Sequence, residues 1–260
     1  MKYMINIKGN LPAIALLATI ISLWEIICRA AQVPEFILPA PSSIIAALIE
    51  NRFLLLKHTA VTLSAVGGGL ILAIIAALVI AVAMDRWKLL KGALYPLLII
   101  SQSVPIFALA PLLLIWFGAG LLPKVFIVTL VCFFPLAVNL VEGFNQVDAD
   151  ALELMQVMKA DQLMIMRSVQ LPSTLPYFFS GLKIAATYSV LGAIIGEWLA
   201  ARAGLGLFML RSMHSFRTTS LFASIIVVVV LSLVLFKLVE LGAWLAMPWQ
   251  RNQENHREVE

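Results

Sequence analysis

The stretch QVDADALELMQVMKADQLMIMRSVQLP, residues 146–172, interrupts a chain that otherwise consists of long apolar runs. It is called the polar block below, since its charged residues are spaced among leucines and methionines. The whole chain has 260 residues, of which 62% are hydrophobic and 12% charged, whereas about a quarter of the residues in a soluble domain are charged. This composition indicates an integral membrane protein in which the polar block faces water between two spans.

The apolar segments have the length of membrane spans, for which a helix needs about 20 residues. We predict an all-α membrane protein with about six transmembrane helices, forming a single domain over residues 1–260. The predicted spans are residues 11–31, 59–84, 94–117, 125–144, 177–199 and 221–245. Six spans put both termini on the same side of the membrane. A short amphipathic helix over residues 44–49, capped by Ser42 and Ser43, is expected at the membrane surface.

Glycines within the spans predict close contact between helices. Three adjacent glycines at 67–69 destabilise a helix and indicate that the backbone of another helix lies close to them. Gly192 and Gly196 form a Gly-x-x-x-Gly pattern with the same meaning. Lys237 and Glu240, three residues apart on the sixth span, are expected to pair with each other.

The third predicted span cannot be a straight helix. Non-helical backbone at membrane depth survives only where it is buried in protein or lines a wet cavity. This span is therefore the first candidate for a translocation path. Its helix-breaking and polar residues are Pro96, Ser101, Gln102, Ser103, Pro105 and Pro111.

Several activities are excluded by missing motifs. The chain has no Gly-x-x-x-x-Gly-Lys-[Ser/Thr] motif for nucleotide phosphates, so it does not hydrolyse ATP itself. It has no His-Glu-x-x-His zinc motif and no Gly-x-Ser-x-Gly nucleophile motif, so we expect no catalytic residues, no metal and no cofactor. The net charge of +4 is scattered at helix flanks, which makes nucleic acid an improbable partner.

The polar block itself reads as two short helices. Asp148 or Asp150 can cap the first helix, Asp161 starts the second, and Leu171-Pro172 is expected to stop it before Pro176 opens the fifth span. On the first helix, Leu152, Met155 and Met158 form one apolar stripe. Such an element either rests on lipid headgroups or docks onto a protein partner.

The spacing of the polar block resembles a known motif. Glu153, Ala160, Val169 and Leu171-Pro172 match the Glu-Ala-Ala loop (E-A-A, three residues, G, nine residues, I-x-L-P) of permease subunits of type I binding-protein-dependent ABC importers. Leu154 and Met155 replace the two alanines, and Lys159 stands at the usual glycine. The departure at Lys159 concerns the turn between the two helices.

Other segments resemble particular branches of that family. Residues 37–41, 111–118 and 171–183 are similar to the sulfonate, nitrate and taurine permeases. Within that branch, residues 178–198, 215–218 and 235–249 look most like permeases for the pyrimidine precursors of thiamine, hydroxymethylpyrimidine and formylaminopyrimidine. The resemblance extends over nearly the whole chain.

The resemblance implies partners and an orientation. In that family two permeases, here expected as a homodimer, form a pathway in the inner (plasma) membrane of a prokaryote. Cytoplasmic ABC ATPase subunits dock on the loop and hydrolyse ATP, and an extracellular or periplasmic substrate-binding protein delivers the solute. The polar block and both termini would then be cytoplasmic. The residues expected to contact the ATPase are Asp150, Glu153, Leu154, Val157, Met158, Lys159, Ala160 and Asp161.

The expected substrate path lies on the third and fifth spans. A pyrimidine suits an aromatic wall with a few hydrogen-bonding groups, and the middle of the fifth span is the most polar helical stretch. An ionisable group inside a span is costly and usually functional, so Glu197 either faces the path or anchors the span at the interface. The expected path residues are Ser101, Gln102, Ser103, Thr187, Tyr188, Ser189 and Glu197.

Three other functions stay open at this point. A permease for a sulfonate, taurine or nitrate would share the same fold and motif. An ion-coupled secondary transporter would need a buried acidic or sodium site near the midplane, and the span centres offer almost none. A membrane scaffold or receptor subunit would explain the polar block but not the proline-broken third span.

Overall fold

Helices make up nearly all of the chain. The computed structural model describes residues 7–200 and 202–249, with side chains for residues 11–199 and 202–249. Among these residues it has α-helices and one π-helical turn, Met166–Gln170, and no strand. The helices are α1 (Ile7–Ala30), α2 (Pro41–Glu50), α3 (Arg52–Arg86), α4 (Lys88–Ser101), α5 (Ile106–Phe117), α6 (Leu121–Asn145), α7 (Ala149–Val157), α8 (Gln162–Ile165), α9 (Leu171–Ala200), α10 (Leu205–His214) and α11 (Thr218–Ala246).

Five helical segments of the described chain are long and apolar enough to cross a membrane, and α4 with α5 makes up to six. The five are Leu11–Ala30, Arg52–Arg86, Leu121–Asn145, Gln162–Leu199 and Thr218–Ala246. Helices α4 and α5 meet at a bend of 101°, because Pro105 lacks the N–H that would continue the helix. The prediction of an all-α membrane protein with about six spans and a broken third span is confirmed. Both termini, residues 1–6 and 250–260, lie outside the described residues.

The expected stop at Leu171-Pro172 is wrong. Helix α8, the π-helical turn and α9 form one continuous segment, Gln162–Leu199. A proline in a helix lacks one N–H, and its ring clashes with the carbonyl four residues earlier, here that of Ser168 inside the π-helical turn. In this turn the Leu171 N–H bonds to the Met166 carbonyl, five residues back, and the wider turn lets the helix pass the proline.

The expected capping of α2 is also wrong. Ala40 is the N-cap residue, and Pro41 occupies the first turn, where its missing N–H costs nothing. The Ser42 hydroxyl donates instead to Glu25 Oε1 at 2.8 Å, and the Ser43 hydroxyl donates to Glu35 at 2.7 Å. These bonds tie α2 to α1 and to the connection between them.

Helix α6 lies between α3 and α9 and forms the centre of the bundle with them. Small residues let the helices approach closely. Such close packing holds helices together in a membrane, because burial of apolar surface contributes little to helix association there. A Cβ at Gly69 would overlap Val128, and one at Gly192 would lie 3.3 Å from the Val128 Cα. The predicted close contacts at Gly69, Gly192 and Gly196 are confirmed, whereas Gly67 has no neighbour within 4 Å of such a Cβ.

The two ends of the bundle carry different short helices. Helices α7 and α8 lie at one end, which is called the α7 end. Helices α2 and α10 lie at the other end, which is called the α10 end. Helices α3, α6 and α9 each run the length of the bundle from one end to the other. On the periphery, α1 is almost entirely exposed, and on α11 Lys237 donates to Glu240 at 2.6 Å, as predicted.

Substituting Gly69 with alanine is expected to destabilise the fold. The new Cβ would overlap Val128 and lie 2.9 Å from the Val125 carbonyl oxygen, and such overpacking costs about 1–3 kcal/mol. The melting temperature of the purified protein in detergent should fall by roughly 3–10 °C. The matched control is Gly67→Ala, where a Cβ enters open space and helix propensity favours alanine. Equal melting temperatures for the two variants would contradict the close packing of α3 on α6.

Candidate functional site

The polar block folds as two capped short helices, as predicted. Asp148 caps α7, since its Oδ1 accepts the Asp150 N–H at 2.9 Å. Asp161 caps α8, since its Oδ1 accepts the Met164 N–H at 2.7 Å. Of the two candidates for the first cap, the structure therefore selects Asp148, and Asp150 provides the amide.

The turn between α7 and α8 is built around a left-handed lysine. The Lys159 N–H donates to the Gln156 carbonyl at 2.9 Å, and the Ala160 N–H donates to the Met155 carbonyl at 3.0 Å. These two bonds form a Schellman motif, which normally has glycine at the position of Lys159. Lys159 adopts φ 55° there, which costs a residue with a Cβ roughly 1–2 kcal/mol. The turn keeps its geometry although the glycine is missing.

The polar block presents apolar side chains to the surroundings. Of the predicted stripe, Leu152 and Met155 are half-buried, whereas Met158 is 70% exposed. Exposed apolar side chains at this density indicate a surface that something covers. The large exposed apolar residues of the block are Leu154, Val157, Met158, Leu163, Met164 and Leu171.

All eight predicted contact residues lie on this element. They belong to α7, to the turn after it and to the cap of α8, and only Ala160 is partly covered. Four of them carry charge at the surface: Asp150, Glu153, Lys159 and Asp161. The structure therefore brings acidic, basic and apolar side chains together on one short, exposed element.

Three polar contacts join α3 and α4 to the π-helical turn of the block and to the end of α6 just before the block. Sequence reasoning missed them, because each partner is a single polar residue near the end of an apolar run. They are Gln170 Nε2 donating to Asp85 Oδ2 at 3.2 Å, Tyr95 Oη donating to Glu142 Oε1 at 2.8 Å, and Lys91 Nζ donating to Asn145 Oδ1. A displacement of the block would therefore act on the α3–α4 connection as well.

The predicted path residues on the third span lie at the break between α4 and α5. Gln102 and Ser103 are exposed there, and Ser101 is half-buried with its hydroxyl donating to the Leu98 carbonyl at 2.8 Å. Pro105 is the N-cap residue of α5. The break thus presents polar side chains to the surroundings of the chain.

The predicted path residues on α9 divide between two faces. Thr187 is exposed and Tyr188 is 50% exposed. Ser189 is buried, and its hydroxyl donates to the Ala186 carbonyl at 2.7 Å. Since neighbouring residues on a helix point in different directions, only Thr187 and Tyr188 remain candidates for a path surface, and the prediction for Ser189 is corrected.

Glu197 neither faces a path nor anchors the span at the interface. Its side chain is 0% exposed, and its carboxylate accepts hydrogen bonds from the Thr62 hydroxyl and the Gly206 N–H. The Lys124 ammonium lies 4.0 Å from it. Sequence reasoning missed Thr62 and Lys124, although each polar residue inside an apolar run of this kind needs a buried partner. Within the described residues, no group of three or more His, Cys, Asp or Glu could hold a metal ion.

Known proteins match this chain over most of its length. The family model described as binding-protein-dependent transport system inner membrane component matches residues 69–242. The formylaminopyrimidine transport permease protein ThiX of Halalkalibacterium halodurans is 34% identical, over 89% of this chain and 92% of its own length. The riboflavin transport system permease protein RibX of Chloroflexus aurantiacus is 33% identical, over 92% of this chain and 91% of its own length.

More distant matches agree with these. Permeases named for aliphatic sulfonate, taurine and nitrate transport are 25–27% identical to this chain. The crystal structure of an amino acid ABC transporter superposes with a TM-score of 0.62 at 17% identity, covering 76% of this chain and 96% of that one. At this identity the superposition shows a shared fold. The resemblance stated from the sequence motifs is confirmed.

Replacing Lys159 with glycine is expected to stabilise the turn. Glycine adopts positive φ without the steric cost that Lys159 bears, so about 1 kcal/mol of strain is released. Hydrogen exchange of the Ala160 amide, which closes the Schellman motif, should slow by about fivefold. Lys159→Ala is the control, because it removes the charge but keeps the Cβ. If both variants exchange at the same rate, the left-handed lysine is not the source of strain.

Proposed function

The chain belongs to the family of binding-protein-dependent transport system inner membrane components, and we propose from this that it forms the pathway of an importer for a small solute with a pyrimidine-type ring. Its role as a permease subunit of an ABC importer is that of the whole family. Such a subunit is a membrane component and not itself an enzyme. The inner membrane is accordingly its place in the cell. What it transports, and how it contacts its partners, are the subjects of the proposal.

The polar block is the proposed docking site of a cytoplasmic ATPase. The observation that carries this proposal is the exposure of apolar side chains on a short helix outside the spans, where Leu154 is 60% and Val157 74% exposed. Charged groups at Glu153 and Lys159 flank them. An amphipathic helix that offers alternating anchors and charges fits a groove on a protein. This docking would place the α7 end, and with it both termini, in the cytoplasm.

The continuous helix from Gln162 to Leu199 offers a route from the docking site to the pathway. Its residues 162–172 belong to the polar block, and its second half carries Thr187 and Tyr188. Since no loop separates the two parts, a rotation imposed at α8 would turn α9. Closing and opening of two ATPase subunits would in this way move the pathway surface of each permease.

The pathway is proposed to form between two copies of the chain. The exposed face of α9 with Tyr188 and the exposed break at Gln102 and Ser103 would line it from each copy. A homodimer would present each of these residues twice around a two-fold axis.

A flat heteroaromatic solute is the proposed substrate class. ThiX is named for formylaminopyrimidine and RibX for riboflavin, and both molecules contain a pyrimidine-type ring. An exposed tyrosine beside a threonine hydroxyl provides a stacking surface and a hydrogen-bonding group for such a ring. A sulfonate, taurine or nitrate would require a cation instead. The nearest one on α9, Lys183, lies over the Phe236 ring at 5.8 Å.

Reversing the charges of the docking surface is expected to abolish transport. In the double variant Glu153→Arg with Lys159→Glu, like charges would meet in the groove, which costs several kcal/mol. Uptake should fall more than about tenfold, while the amount inserted in the membrane stays the same. The matched control exchanges the exposed ion pair on α11, Lys237→Glu with Glu240→Lys, and should transport normally. Normal uptake and ATPase stimulation by the first variant would refute the docking proposal.

Competition uptake tests the substrate class. In cells that express the chain with its partner subunits, unlabelled formylaminopyrimidine should suppress uptake of the labelled compound, and a tenfold larger excess of taurine should not. The reason is that stacking on an aromatic wall requires a ring, which taurine lacks. If the cells take up labelled taurine or nitrate and no labelled formylaminopyrimidine, the chain would belong with the anion permeases.

A further inference from the structure

The first amides of α10 are capped by side chains from other helices. A helix start leaves N–H groups without partners, and a residue of the same segment normally provides the cap. Here α3 and α9 provide it instead. The three bonds run from Gly204 N–H to His58 Nδ1 at 2.9 Å, from Leu205 N–H to Thr62 Oγ1 at 2.9 Å, and from Gly206 N–H to Glu197 Oε2 at 2.7 Å.

Glu197 is the centre of this arrangement. Its other oxygen accepts a hydrogen bond from the Thr62 hydroxyl at 2.9 Å. The same hydroxyl accepts the Leu205 N–H of α10, so Thr62 links α10 to α9. The Lys124 ammonium of α6 lies 4.0 Å from the carboxylate and also donates to the Ala203 carbonyl at 3.2 Å. A charge without water needs such partners. Helices α3, α6, α9 and α10 therefore meet at a single carboxylate.

The backbone of the loop is built to touch this carboxylate. Gly204 has φ +133°, and a Cβ there would overlap the Glu197 carboxylate. A Cβ at Gly206 would lie 2.8 Å from the Ile194 carbonyl oxygen and 2.9 Å from the Glu197 Cβ. Both positions thus admit only glycine, which leaves no side chain between α10 and Glu197.

The position of Glu197 along the chain connects the two ends of the bundle. It stands near the end of the continuous helix Gln162–Leu199, of which residues 162–172 belong to the polar block. Helix α10 and the residues after it expose cationic and aromatic groups at the opposite end, among them Arg211, His214, Phe216 and Arg217. The hydrogen bonds at Glu197 are the join between these two parts.

We propose that Glu197 is a positioning residue for import, which fixes α10 to α3, α6 and α9 so that the α10 end and the polar block move as one rigid body. This rests on the proposed function as an importer, in which a binding protein acts at the α10 end. Lifting α10 as a lid would leave three amides without their partners and would take the Gly206 N–H away from the buried Glu197 carboxylate. Removing the hydrogen-bond partners of buried polar groups costs free energy. The geometry therefore favours a rigid body over a lid.

The variant Glu197→Gln tests the proposal in the complete importer with its ATPase and binding protein. Glutamine has the same shape, but an NH₂ group replaces one of the two oxygens, and this group cannot accept a hydrogen bond. The side chain therefore loses either the bond from the Gly206 N–H or the bond from the Thr62 hydroxyl. The ratio of binding-protein-stimulated to basal ATPase rate, and uptake per assembled complex, should each fall about tenfold. Thr62→Ser keeps the hydroxyl and should retain both values. Glu240→Gln, which removes an exposed carboxylate, is the matched control and should resemble the wild type.

The outcomes separate three cases. A Glu197→Gln complex with the wild-type ratio and uptake would overturn the proposal. A variant that loses thermal stability, assembly and both ATPase rates in parallel would show a merely structural role and would also overturn it. If the wild-type chain neither assembles with an ATPase nor responds to a binding protein, the proposed function fails, and the role of Glu197 in import fails with it.

A cross-link distinguishes a rigid body from a lid. Val61 on α3 and Ala203 in the loop line the same cavity of 270 Å³, so cysteines there can be joined by a short, reducible bifunctional reagent. The native Cys28 and Cys132 are both buried and would be replaced by alanine. Unchanged uptake by the cross-linked protein is expected if α10 moves with α3. Loss of uptake that reduction restores would show that α10 opens as a lid and would refute the proposal.

Discussion

The close approach of α6 to both α3 and α9 is the constraint on which the rest of the structure depends. In a bilayer, burial of apolar surface does little to hold helices together, so contact must come from van der Waals packing of backbones. Gly69 and Gly192 both let their helices reach Val128 of α6. Because all three helices run the length of the bundle, the contacts at one end fix the arrangement at the other.

This packing explains why polar groups can be placed deep in an apolar chain. Gly196 lets α9 lie against the Lys124 backbone, with a Cβ position 3.2 Å from its Cα. That contact puts Lys124 close to Glu197, and Thr62 reaches the same carboxylate from α3. A buried charge is stable only when such partners are already in place. The polar network at the α10 end is therefore a consequence of the glycine contacts and not an independent feature.

The parts of the fold that follow from local rules could be predicted from the sequence. The spans, the broken third span, the cap at Asp161 and the pair of Lys237 with Glu240 depend only on neighbours in the chain. The role of Glu197 could not be predicted, since its partner Thr62 is 135 residues away. Pro172 was misjudged for a different reason. No local sequence signal indicates the π-helical turn at Met166–Gln170. The proline rule therefore predicts a helix end at a place where the helix only forms a wider turn and continues.

The break between α4 and α5 lies at a depth in the membrane where its polar side chains need contact with water or protein. Helix α4 has 14 residues, and at 1.5 Å per residue it carries the chain about 20 Å from the α7 end. The exposed side chains of Gln102 and Ser103 therefore lie inside the membrane layer. Hydrocarbon does not tolerate polar groups or irregular backbone at that depth, so this surface must face water or a second copy. Tyr188, about 26 Å along α9 from Leu171 by the same rise, lies within a helical turn or so of that depth. In the proposed importer, the two exposed polar surfaces would line one pathway, and the continuous helix that carries Tyr188 would be the element through which the polar block acts on it.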